Sequence, residues 1–85
     1  MMPNKETLKK QIIYRSMHRG TKEMDLLLGS FVKKYVENFN IDELKDLKKL
    51  LFVDDDLIYK WYVKNNSDKL IPKNKVSIML KNFKL

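Results

Sequence analysis

The sequence predicts an all-α fold, a compact single-domain bundle of about five short helices. Apolar residues recur at spacings of three and four rather than alternating, which is the periodicity of a helix face. Only two glycines and two prolines interrupt the chain. A length of 85 residues allows one modest core but not a second domain, so we treat residues 1–85 as one domain.

The first two helices are predicted to meet at Gly20. The first runs from about Lys5 to His18 and directs one apolar stripe to the core, namely Leu8, Ile12, Ile13 and Met17. We expect Gly20 to end it in a left-handed turn, because glycine has no Cβ. Thr21 can then cap a second helix whose first turn carries Glu23 and Asp25, where carboxylates face the positive end of the helix dipole.

The second helix, from about Lys22 to Asn38, has the most regular apolar pattern in the chain. Its predicted core residues are Met24, Leu27, Leu28, Phe31, Val32, Tyr35 and Phe39. Asn40 and Glu43 have the spacing of a capping box and predict the start of a third helix. The third helix presents four leucines to the core, namely Leu44, Leu47, Leu50 and Leu51.

The last two helices are shorter. The run Asp54-Asp55-Asp56 predicts a cap and first-turn charges for a fourth helix with Leu57, Ile58, Trp61 and Tyr62 on one side. We expect it to end within residues 64–68, and both aromatic residues to pack in the core. After Pro72, a fifth helix from about Lys75 to Phe83 offers Val76, Met79, Leu80 and Phe83.

The composition argues against several classes of function. The chain has no cysteine and one histidine, which excludes disulfides and thiolate metal sites and leaves too few ligands for a histidine-based zinc site. No apolar run reaches the roughly 18 residues of a membrane span, so we expect no membrane insertion. The first residues lack a secretory or organelle-targeting pattern, which predicts an unprocessed cytoplasmic protein. The +7 charge is spread over the chain, as expected of a solvated surface.

One polar stretch stands out as a candidate binding site. Only two of the eighteen basic residues are arginines, and both Arg15 and Arg19 flank the single histidine, His18, just before Gly20. Four positions apart, the arginines are predicted to project from one side of the first helix toward the start of the second. With Glu23, they form a charged docking surface around a glycine that lets backbone approach closely.

Each of these residues also has a purely structural interpretation. Gly20 could be only a helix terminator, and Glu23 only a first-turn charge. Arg15 and His18 could belong to a solvated helix face, and the charge on Asp25 could mark a helix start rather than an interface. No nucleophile with an adjacent base and no facing pair of carboxylates is evident, which argues against an enzyme.

Two segments together resemble a known family. One is Tyr14–Leu28, which contains the motif Arg19-Gly20-x-x-Glu23, and the other is Leu50–Trp61, similar to Leu-Leu-x-x-Asp-Asp-x-Asp-Leu-aromatic-x-Trp. In order, spacing and total length they resemble the flavinators, the assembly factors of succinate dehydrogenase, of the bacterial type. The resemblance covers about residues 8–64, and residues 68–85 correspond to a variable C-terminal part. Met17 stands where similar bacterial members commonly have tryptophan.

The resemblance implies a binding role rather than catalysis. Flavinators promote covalent attachment of FAD to the flavoprotein subunit of succinate dehydrogenase, or of fumarate reductase, at a histidine of that partner. FAD would thus be the partner's cofactor, with none held stably by this chain. The implied partner-binding residues are Arg19, Gly20 and Glu23, and we add their neighbours Arg15, His18 and Asp25.

A small basic helix-turn-helix protein that binds nucleic acid is the alternative. Its affinity would fall steeply with salt, because it would depend on lysine contacts to phosphate. Glu23 and Asp25 argue against it, since they place acids beside the candidate turn.

Overall fold

A computed structural model describes residues 4–65 and 69–85 as five α-helices. These are α1 (Lys5–Met17), α2 (Lys22–Tyr35), α3 (Ile41–Leu51), α4 (Asp55–Lys64) and α5 (Lys75–Asn82), with a 3₁₀ turn at Val36–Asn38 after α2. These two ranges contain no strand, which confirms the predicted all-α fold. The helix α4 ends at Lys64 within the predicted range, of which residues 66–68 lie outside the described part.

The core lies between α1, α2 and α3, with α5 packed on α3. The predicted stripe of α2 is confirmed, and only Tyr35 lies at the margin of the core. All four predicted leucines of α3 are buried. Trp61 and Tyr62 are half-buried and pack against the core from α4. The core also contains two residues that the periodicity did not identify, Val36 and Ile71.

The predicted core stripe of α1 is partly wrong. Leu8 and Ile12 are buried, but Ile13 is 38% exposed and Met17 is 60% exposed. The third buried position of this face is the small residue Ser16. A Cβ placed on Gly29 of α2 would lie 3.8 Å from the Ser16 carbonyl oxygen, an ordinary contact distance, so α1 and α2 pack against each other there. Ser16 is buried at this contact, whereas Ile13 and Met17 lie outside it and line an open groove of about 590 Å³.

Lys9 is an exception to the expected solvated lysine surface. It is buried, and its ammonium group lies 2.9 Å from the Glu37 carboxylate and 3.4 Å from that of Glu6. The hydrogen bond to Glu37 is the main cause that raises the pKa of Lys9. This contact joins the start of α1 to the 3₁₀ turn that follows α2.

The helix caps confirm two predictions and contradict two others. The Thr21 hydroxyl accepts the Met24 N–H (3.2 Å), and Asn40 forms the predicted capping box. Gly20, however, does not adopt a left-handed conformation, and Asn65 is the one described residue with positive φ. The chain leaves α1 at His18, whose φ of −123° and ψ of 59° are not left-handed either. Asp54 precedes α4 but its side chain makes no capping hydrogen bond.

Glu43 connects two helices and should make the stability of the fold depend on pH. Its carboxylate accepts the Asn40 N–H (2.9 Å) and lies 3.0 Å from the Lys75 ammonium group of α5. The Asn40 hydrogen bond, followed by the contact with Lys75, lowers the pKa of Glu43 below its ordinary value of 4.5.

A carboxyl group whose pKa falls on folding stabilises the fold above its ordinary pKa, and that contribution is lost as the pH falls through the folded value. We therefore expect Glu43→Gln to lose less free energy of unfolding than the wild type between about pH 6 and pH 3. Urea unfolding, followed by Trp61 fluorescence, measures this difference. Parallel pH curves for the two proteins would contradict the assignment.

Candidate functional site

Arg19 links the turn between α1 and α2 to the start of α4. Its side chain is only 8% exposed. The guanidinium Nε donates to Oδ1 of Asp55 (2.7 Å), and Nη2 lies 2.6 Å from the same oxygen. The Asp55 side chain is itself 19% exposed, so the ion pair is largely shielded from water.

The rest of the guanidinium group binds backbone carbonyls at the end of α3. Nη1 donates to the Leu51 oxygen (2.6 Å) and Nη2 donates to the Val53 oxygen (3.0 Å). The last carbonyls of a helix have no partner within the helix, so the bond to Leu51 satisfies a group that α3 leaves open, and Val53 lies just beyond the end of that helix. A planar fork of donors can serve a carboxylate and two carbonyls together, which explains an arginine at this position.

Two carboxylates hold the backbone of the turn itself. The Gly20 N–H donates to Oδ2 of Asp55, and the Arg19 N–H donates to Oδ1 of Asp25 (2.6 Å). A Cβ on Gly20 would lie 3.0 Å from Oδ2 of Asp55, which is too close without a shift of that side chain. The close approach that Gly20 permits is thus an approach by Asp55 of the same chain. An approach by a partner stays a prediction.

Glu23 differs from Arg19 in its surroundings. It is exposed in the first turn of α2, and its carboxylate has no hydrogen bond or ion pair with any residue in the described ranges. It borders an open cleft of about 500 Å³ that is walled by Gly20, Thr21, Met24, Asp55, Asp56 and Tyr59. The carboxylates around this cleft disfavour a phosphate group there, which counts against the nucleic-acid alternative.

Arg15 and His18 lie on the outer side of the same turn. The Arg15 guanidinium carbon is 3.9 Å from the centre of the Phe52 ring, a cation–π contact. The prediction that Arg15 projects toward the start of α2 is therefore wrong. The His18 ring stacks on Tyr14 with 4.0 Å between centroids, and its Nδ1 lies 2.8 Å from the Tyr14 carbonyl oxygen. Both side chains are exposed.

Asp55 is the residue of this site that the sequence did not identify. The run Asp54-Asp55-Asp56 predicts capping and surface charge, whereas Asp55 holds Arg19 and Gly20. No local pattern indicates this contact, because 36 residues separate Arg19 from Asp55. In the portion of the chain that the structure describes, no group of three or more acidic or histidine side chains could hold a metal ion. No described helix is both long and apolar enough to span a bilayer.

Comparisons with known proteins agree with the resemblance. The sequence profile of one family, "Flavinator of succinate dehydrogenase", matches residues 10–84. The match includes residues 65–84, which follow the segment of about residues 8–64 that the resemblance covers. No solved structure matches the chain.

Two similar proteins are named as mitochondrial assembly factors. Succinate dehydrogenase assembly factor 2 of Lodderomyces elongisporus is 41% identical over 63 residues, which cover 74% of this chain and 38% of that protein. Assembly factor 2-B of Drosophila willistoni is 36% identical over 78 residues, covering 89% and 50%. The chain thus aligns with half or less of the length of these relatives. They are eukaryotic proteins and so do not support the expected bacterial type.

Arg19→Lys should test the role of the guanidinium fork. A lysine ammonium is a single point of charge and cannot reach the Asp55 carboxylate and both carbonyls together. We expect the free energy of unfolding to fall by about 1–3 kcal/mol, because partly buried acceptors lose their donors. Urea unfolding followed by fluorescence measures it. Arg15→Lys, at the exposed arginine, is the control and should change the free energy by less than about 1 kcal/mol. Equal effects of the two variants would contradict this role.

Proposed function

Because the chain belongs to the family of flavinators of succinate dehydrogenase, we propose that it binds the flavoprotein subunit of succinate dehydrogenase and promotes covalent attachment of FAD to that subunit. The flavoprotein of fumarate reductase is a second client under the same proposal. The family match carries this function. The names of the relatives support a role in assembly rather than in catalysis.

The proposed docking face consists of Gly20, Glu23 and the cleft beside them. Glu23 supports this choice, since its carboxylate is exposed and has no described partner within the chain. A donor on the flavoprotein could form a charge-assisted hydrogen bond with it, which is stronger than a bond between neutral groups. Tyr59 and Asp56 of α4 border the same cleft and extend the face.

The six predicted site residues take different parts in this proposal. Glu23 contacts the partner directly, and Gly20 gives it access to the backbone of the turn. Arg19 and Asp25 act from inside the chain, because their charged groups are bound to the turn or to neighbouring helices. Arg15 and His18 are exposed beside the face and form its edge.

This chain would act by holding the flavoprotein in a productive arrangement. The resemblance implies that the reacting groups, a histidine and the flavin, both belong to the partner. A rigid docking surface can restrict mobile elements of the partner so that these two groups meet, which removes an entropic barrier to the reaction. In this mechanism the chain only binds the flavoprotein and orients its reacting groups. We propose that the chain acts in the compartment in which the flavoprotein matures. The relatives are named as mitochondrial proteins. A cytoplasmic location remains the prediction from the sequence.

The first test compares flavinylation with and without this chain. Purified flavoprotein subunit, free of covalent flavin, is incubated with FAD in both conditions. We expect covalent flavin to form faster when the chain is present, because the proposed complex orients the reacting groups. In-gel flavin fluorescence of the denatured subunit measures the product. Equal rates in the two conditions would refute the proposed function, and an unrelated small basic protein controls for charge.

The second test addresses the docking face through Glu23→Gln. We expect the concentration of the chain that gives half-maximal flavinylation to rise about tenfold, since a hydrogen bond to a charged group is lost. The same fluorescence assay measures it across a concentration series.

Asp42→Asn is the matched control. Asp42 is the second residue of α3, as Glu23 is of α2, and both acids are exposed. Each variant removes one first-turn charge, so effects through the helix dipole are similar. Indistinguishable half-maximal concentrations for the two variants would argue against Glu23 as a contact residue.

A further inference from the structure

We propose that Asp55 is a positioning residue for the docking face: its side chain borders the cleft, but its role is to fix the turn that presents Glu23. The proposal rests on the function proposed above and assigns a role to Asp55, which lies in α4 together with Asp56 and Tyr59 of the docking face. It follows from the contacts of the two Asp55 carboxylate oxygens.

The two oxygens of Asp55 hold consecutive residues of the turn. Oδ1 binds the side chain of Arg19, and Oδ2 accepts the backbone N–H of Gly20. A single carboxylate thereby fixes both the guanidinium group and the peptide that follows it. Only 19% of the Asp55 side chain is exposed, and both of its carboxylate oxygens are occupied by these internal contacts.

The fixed peptide lies directly before the start of α2. Gly20 precedes Thr21, the residue whose hydroxyl caps α2, and Glu23 follows in the first turn of that helix. Restraint of the Gly20 peptide therefore restrains the position of the Glu23 backbone. A turn that is ordered before binding loses less conformational entropy when a partner docks, so the restraint favours affinity.

The contacts of Arg19 show how this restraint can be weakened while the fold persists. If Asp55 is altered, Arg19 still has the Leu51 and Val53 carbonyls as partners. In Asp55→Asn, an NH₂ group must replace one of two oxygens that both face N–H donors. Asparagine therefore loses one of the two hydrogen-bonded contacts, either with Arg19 or with Gly20, while the size of the side chain is kept.

Asp55→Asn is tested in the flavinylation assay with a concentration series of the chain. We expect a rise of about tenfold in the half-maximal concentration and an unchanged rate at saturation, because only the ordering of the free turn is affected. Hydrogen exchange of the Gly20 amide in the free protein, measured by NMR, is the second readout. It should be faster in Asp55→Asn than in the wild type.

Two control variants separate positioning from charge and from general stability. Asp54→Asn removes the neighbouring exposed acid, whose side chain makes no capping bond. Val76→Ala removes buried volume from α5. With all proteins shown to be folded by circular dichroism at the assay temperature, both controls should give the half-maximal concentration of the wild type.

The outcomes distinguish the two proposals. If the wild type accelerates flavinylation and Asp55→Asn has the same half-maximal concentration, the positioning role is wrong and the proposed function stands. An equal loss in Val76→Ala, or unchanged exchange of the Gly20 amide in Asp55→Asn, also overturns the positioning role. If the wild type itself gives no acceleration, both proposals fail.

Discussion

The ion pair between Arg19 and Asp55 determines how the turn between α1 and α2 lies on the rest of the molecule. It joins this turn to the first residue of α4, and Arg19 also binds the carbonyls of Leu51, the last residue of α3, and of Val53. A largely buried ion pair adds little net stability compared with apolar packing, because both charges lose water. Here the ion pair fixes the conformation of the turn, because the donors of the guanidinium group find all their acceptors in only one arrangement of that turn.

This constraint divides the motif Arg19-Gly20-x-x-Glu23 into an inner and an outer part. Arg19 follows α1 and points into the molecule, whereas Glu23 lies in the first turn of α2 and remains exposed. Gly20 lies between them and leaves room for the Asp55 carboxylate. A motif whose members are close in sequence thus combines a structural function with the proposed recognition function, and the first supports the second.

The contact between α1 and α2 shows why a periodic pattern is an incomplete guide to a core. An apolar stripe on α1 predicts that Ile13 and Met17 are buried, yet Ser16 occupies the contact and those two residues line a groove. Small residues let helices approach closely, and the choice of face is then made by both helices together. Lys9 is buried for a similar reason: its two acidic partners lie on α1 and beyond the end of α2.

The helical class, the number of helices, the caps at Thr21 and Asn40 and most of the core could be predicted from the sequence, because these depend on local propensity and periodicity. It also indicated which short stretch to regard as a site. Three features could not be predicted in this way: Arg19 faces inward, Arg15 covers Phe52, and Asp55 holds the turn. Those contacts join residues more than thirty positions apart, and their geometry exists only once the helices have packed.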